Sequence, residues 1–151
     1  MKLPTSTKRT SPRRAAGFTL IEVMVVAGII AILTMLAYPS FTQSLRKSNR
    51  SDAQAALVRV SVNLERFFAT NGTYTTDTSL LGLQIVGGTA YSDSNHYVVT
   101  VAPGATGIAS SYAVTATAAP GDMQTRDTGC TVLSMDSLGR RVPDPNVSQC
   151  W

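Results

Sequence analysis

Residues 17–39 read GFTLIEVMVVAGIIAILTMLAYP. From Phe18 to Tyr38 the run is apolar almost throughout, and about 20 such residues is what a helix needs to cross the hydrocarbon layer of a bilayer. Upstream, residues 1–17 hold Lys2, Lys8, Arg9, Arg13 and Arg14 with no apolar periodicity. Positive charge on that side predicts a single-pass orientation with the N-terminus in the cytoplasm. An ordinary secretory signal carries its small-residue cleavage site after the apolar run. Here Ala15, Ala16 and Gly17 come before it. A cut at that point would remove residues 1–17 and leave the helix on the mature chain.

Glu22 is the one charge within the run. A carboxylate at that depth costs about 2.5–3.5 kcal/mol on insertion scales, so a functional role is expected of it. Pro39 follows the run, and a proline inside a helix removes a backbone hydrogen bond, which predicts a kink or local melting there. Helical spacing then resumes with Ala53, Ala56, Leu57, Val60, Leu64, Phe67 and Phe68, steps of three and four that form one apolar stripe. Arg46, Lys47, Arg50, Arg59 and Arg66 fall mostly off that stripe, and Asn71-Gly72 is a stop signal. The parse is therefore residues 1–17 as leader, 18–38 as membrane-spanning helix, 39–71 as its amphipathic continuation and 72–151 as a head.

Beyond Gly72 the period changes. Residues 72–96 are rich in Thr, Ser and Gly and predict a long connecting loop with a short turn at Ser79–Leu83. Tyr97–Val101 and Tyr112–Ala118 are rich in β-branched residues and are bounded by Pro103-Gly104 and Pro120-Gly121, which predicts strands. Cys130–Met135 predicts a third, and Asp136-Ser137-Leu138-Gly139 a hairpin turn into a short fourth around Arg140–Val142. The fold class is then α+β. A long N-terminal helix, its first half transmembrane, packs its second half on an antiparallel sheet of three to four strands, because such a sheet needs an apolar partner.

Lys and Arg total 13 against 9 Asp and Glu, a net of +4. Five of the basic residues lie in the leader, so without it the balance turns slightly acidic, and a general nucleic-acid affinity does not follow. Cys130 and Cys150 are the two cysteines and lack a CxxC spacing; with one His in the chain, a zinc site is improbable. In an exported chain the pair reads as one disulfide, closing a loop of about 20 residues for about 3 kcal/mol of stability. No nucleophile–base pair, paired carboxylates or phosphate loop can be drawn, so no catalytic activity and no cofactor are expected.

The segment Gly17-Phe18-Thr19-Leu20-Ile21-Glu22 closely resembles the processing signature of type IV pilins and type II secretion pseudopilins. Tyr38-Pro39-Ser40-Phe41, Arg46-Lys47-Ser48, Leu64-Glu65-Arg66-Phe67-Phe68, Asn71-Gly72-Thr73-Tyr74 and Gln149-Cys150-Trp151 extend the resemblance, most of all to PilE-type minor pilins. The resemblance implies cleavage by a prepilin peptidase between Gly17 and Phe18 and N-methylation of Phe18. It gives Glu22 the role of pairing with the N-terminal amine of a neighbouring subunit during assembly. It also implies storage in the inner membrane, extraction by assembly machinery, and a helical polymer with other pilin subunits on the cell surface. The region between Cys130 and Cys150 would be the exposed, specificity-setting part. One departure is Ala31, where many relatives carry a helix-loosening glycine; the nearest is Gly28.

The resemblance points to a minor pilin acting in pilus assembly or priming, twitching motility or adhesion. A major pilin, a DNA-binding competence pilin and a type II pseudopilin stay open. Arg140 and Arg141 are the candidate ligand contacts, for DNA or a host surface. Arg46, Lys47 and Arg50 could meet DNA or anionic headgroups, though a solvated turn explains them as well. His96, with Asp93 as its nearest acid in sequence, reads as a loop residue. The acids Asp122, Asp127, Asp136 and Asp144 lack the spacing of a calcium loop, so no metal is expected. Trp151 is expected to pack over the disulfide or the sheet.

Overall fold

The structure, a computed structural model, describes residues 17–142 and 147–151. The expected leader lies outside the described residues apart from Gly17, and so does Asp144. The chain divides into two compact units, one ending at Tyr38 and the other running Pro39–Trp151.

Helix α1 (Leu20–Asn71) is 52 residues long. Thr19 caps it: its Oγ1 accepts the Glu22 backbone N–H at 3.3 Å and its carbonyl accepts that of Val23. In the first unit every described residue from Gly17 to Tyr38 is exposed. By length and composition α1 can cross a membrane, and none of its most apolar window is buried. Helical structure continues through Pro39.

In the second unit Ala53, Ala56, Leu57, Val60 and Leu64 are the buried residues of α1, on the stripe that the spacing predicts. They join one core with Tyr97, Val99, Tyr112, Val114, Ala116 and Leu133 from the sheet. Alanines at two stripe positions leave room for the sheet to approach the helix backbone closely. Phe67 and Phe68 are only half-buried; Phe68 stacks on Tyr74, whose ring meets Tyr112 edge-on at 4.8 Å.

Among the described residues the sheet is an antiparallel meander of six strands in sequential order. They are β1 (Gln84–Val86), β2 (Thr89–Tyr91), β3 (Tyr97–Pro103), β4 (Tyr112–Ala118), β5 (Val132–Asp136) and β6 (Arg141–Val142). This extends the expected three to four strands, because part of the segment expected as loop forms the β1–β2 hairpin. Gly87 and Gly88, at φ +59° and +81°, supply the two left-handed residues that a tight hairpin turn demands. The short turn before it is a 3₁₀ segment, Thr78–Leu80. β3 and β4 pair over seven residues, from Tyr97 with Ala118 to Pro103 with Tyr112. Alternate residues of β4 face the core, so Tyr112, Val114 and Ala116 are buried. A second 3₁₀ turn (Met123–Arg126) and the short helix α2 (Val147–Cys150) complete the head.

Candidate assembly segment and disulfide-closed head

Each unit carries its own candidate site. In the first, Phe18 is 82% exposed, and with Glu22, Val23, Val26, Ala27 and Ile30 it lines a shallow groove along α1. Glu22 occupies the first turn of the helix, where the positive end of the dipole favours a carboxylate. The surface that lines this groove is apolar.

In the head, Cys130 and Cys150 form a disulfide with Cα atoms 5.4 Å apart, both buried. Arg50 of α1 holds both ends of the loop that it closes. Its Nε and Nη2 donate to the two carboxylate oxygens of Asp127 at 2.7 and 2.8 Å, and its Nη1 donates to the Gln149 carbonyl. Asp127 in turn accepts the Cys130 N–H on its backbone carbonyl at 2.9 Å, and Gln54 Nε2 donates to the Cys150 carbonyl at 3.0 Å. The bidentate hydrogen bonds that Arg50 donates to Asp127 raise its pKa against the opposing pull of burial. Arg50 is therefore a structural clamp, not the solvated or ligand-facing cation of the sequence reading.

Arg46 is engaged as well, its Nη1 donating to the Arg126 carbonyl at 3.0 Å. Gln124, fully buried, donates from Nε2 to the Arg46 carbonyl and to the Tyr97 hydroxyl. The candidate ligand contacts Arg140 and Arg141 are exposed and each also has a neighbour within the head. Arg140 Nε donates to Asp136 at 2.6 Å, and the Arg141 guanidinium lies 4.9 Å from the Trp151 ring centre. Burial pushes Asp136 upward, but the backbone N–H groups of Arg140 and Leu138 and the Arg140 guanidinium hold its carboxyl below the usual value. Trp151 packs on the core cluster. His96 pairs through Nδ1 with Asp122 at 2.9 Å, not with Asp93, which binds Arg59. Among the described residues no cluster of acids, histidines and cysteines could hold a metal ion.

Two outcomes follow from this geometry. Replacing Cys130 and Cys150 together by serine should cost about 3 kcal/mol in the chain-entropy account, read as a lower denaturant midpoint of the full chain. Tyr112 is the second case. Burial and the Glu65 carboxylate, which accepts its hydroxyl at 3.2 Å, push its phenol from 10.0 up to about 12. Below pH 10 the neutral phenol is present in both states and the contribution is intact. Between pH 10 and 12 the unfolded chain ionises first, so about 2–3 kcal/mol should be lost as pH rises through that window. Tyrosinate absorbance should show a late-titrating component that Tyr112→Phe removes.

A head closed by a disulfide and carried on a long helix with an exposed apolar first half defines a class of helix-anchored subunit with no catalytic constellation among its described residues. The chain belongs to the type IV pilin family, whose members are structural subunits and not enzymes. Residues 39–134 match the family described as "Type IV minor pilin ComP, DNA uptake sequence receptor", and residues 12–38 match the prokaryotic N-terminal methylation motif. The chain is 34% identical over 83 residues to the type IV major pilin protein PilA of Myxococcus xanthus, covering 55% of this chain and 37% of that one. It is 48% identical over 50 residues to prepilin peptidase-dependent protein D of Escherichia coli, covering 32% and 34%. It is 29% identical over 85 residues to type II secretion system core protein G of Dickeya chrysanthemi, covering 56% of each. The chain thus spans between about a third and somewhat over half the length of these curated relatives. A type IV pilin structure from Shewanella oneidensis superposes with a TM-score of 0.47 at 27% identity, over 70% of this chain and 97% of that one.

Proposed function

We propose that this chain is a minor subunit of a type IV pilus, made as a precursor and assembled with other pilins through its N-terminal helix. The observation that carries the reading is the exposed apolar surface of α1 from Leu20 to Tyr38, with Glu22 as its one charge. A single chain leaves that surface uncovered, so it requires lipid before assembly and other helices after it. A prepilin peptidase cuts between Gly17 and Phe18, Phe18 is methylated, and Glu22 answers the amine of a neighbouring subunit. The precursor sits single-pass in the inner membrane with its N-terminus cytoplasmic, and the assembly machinery passes it to the surface filament. Head-to-tail packing about a rotation that does not close gives a filament. Twitching motility and adhesion are the activities that such a filament would serve.

Shearing filaments from producing cells and quantifying this chain by mass spectrometry tests the proposal. Trace amounts beginning at methylated Phe18 are expected. An N-terminus that retains the leader, or a cut after Tyr38, would sink the processing claim. Dominance in the sheared fraction would make it the major pilin, and complete absence would point to a periplasmic pseudopilus.

A second reading, a head that captures DNA, is favoured by the match of residues 39–134 to a DNA-uptake receptor family. Residues 39–151 hold equal numbers of basic and acidic side chains, so any such contact depends on local groups, of which Arg126, Arg140 and Arg141 are exposed. Retarded duplex mobility that is lost in Arg140→Ala/Arg141→Ala and at high salt would support it.

A further inference from the structure

The basic cluster of α1 is divided by the fold. Arg46 and Arg50 spend their guanidinium groups on the Arg126 carbonyl, Asp127 and the Gln149 carbonyl. Lys47 is exposed and has no ion-pair partner among the described residues. It lines a groove of about 620 Å³ with Ser40, Gln43, Ser44 and Trp151, a volume within the ~300–1,000 Å³ range of small-molecule sites. Ser40, Gln43, Ser44 and Lys47 are spaced i, i+3, i+4 and i+7, so they share one face of α1. One ammonium, two hydroxyls and one amide are donors suited to a phosphate. The Arg50 charge at the groove wall is already answered by Asp127.

We infer that this groove takes the phosphate headgroup of an anionic membrane phospholipid while the precursor is held in the bilayer. The inference rests on the membrane-anchored reading of Leu20–Tyr38. The occupant is chosen by continuity along one helix, since Ser40 follows the apolar run by a single proline. Helical side chains lean toward the N-terminus, so Lys47 leans over Gln43 and Ser44. Lysine and tryptophan, which line the groove together, are side chains that bilayer interfaces favour. Release of the headgroup would accompany departure of the subunit from the membrane, so lipid charge would tune the reservoir.

Trp151 is the one tryptophan in the chain and lines the groove, so its emission reports the site directly. The full chain would be reconstituted in phosphatidylcholine nanodiscs with increasing phosphatidylglycerol. The expected result is a saturable change in Trp151 emission whose half-point rises about five-fold in Lys47→Ala, the worth of one basic residue near an anionic surface. Lys47→Arg should keep the response, and Arg66→Ala, exposed further along α1, should leave it unchanged. Emission independent of phosphatidylglycerol, or equal half-points for wild type and Lys47→Ala, would overturn the headgroup site while leaving anchoring intact. A chain that fails to associate with phosphatidylcholine nanodiscs at all would overturn anchoring first, and the site with it. The same emission change with inorganic phosphate or a short oligonucleotide, at equal phosphate concentration and without lipid, would overturn the choice of occupant.

Discussion

Arg50→Ala is expected to lower the stability of the head by about 3–5 kcal/mol, the cost of breaking a buried ion pair from one side. The Arg50 and Asp127 side chains are only 14% and 7% exposed, so the substitution strands a carboxylate with little water to solvate it. It also orphans the Gln149 carbonyl, to which Arg50 donates beside the disulfide. Arg59–Asp93 provides the internal contrast. Its side chains are 37% and 56% exposed, and Arg59→Ala should cost no more than about 1 kcal/mol. Arg50→Ala combined with Asp127→Ala should recover part of the loss, because no unpaired charge then remains. Urea unfolding of the full chain, followed by Trp151 emission, reads all four proteins. Equal midpoints for Arg50→Ala and Arg59→Ala would show that the clamp contributes no more than a surface pair.

The clamp also shows where sequence reading stopped. The apolar stripe and the β4 span Tyr112–Ala118 are legible because each is a local period: steps of three and four on the helix, two on the strand. Arg50 lies three residues before Ala53 and so continues the stripe toward the N-terminus, a signal that a list of basic residues obscures. Its partner lies 77 positions away, and only the returning chain brings Asp127 beneath it. The same limit hid the contact of His96 with Asp122 and that of Arg141 with Trp151. The β1–β2 hairpin failed for another reason: each strand is three residues long, too short for alternation to register. Val86-Gly87-Gly88-Thr89 was the available cue, since adjacent glycines between β-branched residues suit a two-residue turn.

Glu22→Ala is expected to leave the head folded and to remove the chain from filaments. The substitution spares the start of the helix, because Thr19 caps α1 through the backbone N–H of Glu22 and not through its side chain. It spares the core too, since Ala53, Ala56, Leu57, Val60 and Leu64 all lie in the other unit. The unfolding midpoint should therefore match wild type. What changes is the assembled state. If the chain is processed and assembled as proposed, the Phe18 amine lies among apolar helices and needs a counter-charge, and an unpaired ion there costs several kcal/mol. A loss of about 3–5 kcal/mol in one subunit contact is a factor of roughly 10²–10⁴ in association, enough to empty the sheared fraction of this chain. Glu22→Gln should fail almost as badly, since it keeps the shape and loses the charge, whereas Glu22→Asp should retain partial incorporation. Cells producing each variant, sheared and quantified against membrane-retained chain, separate the outcomes. Wild-type incorporation of Glu22→Gln would mean that shape, not charge, is what the groove beside Phe18 presents to its neighbour.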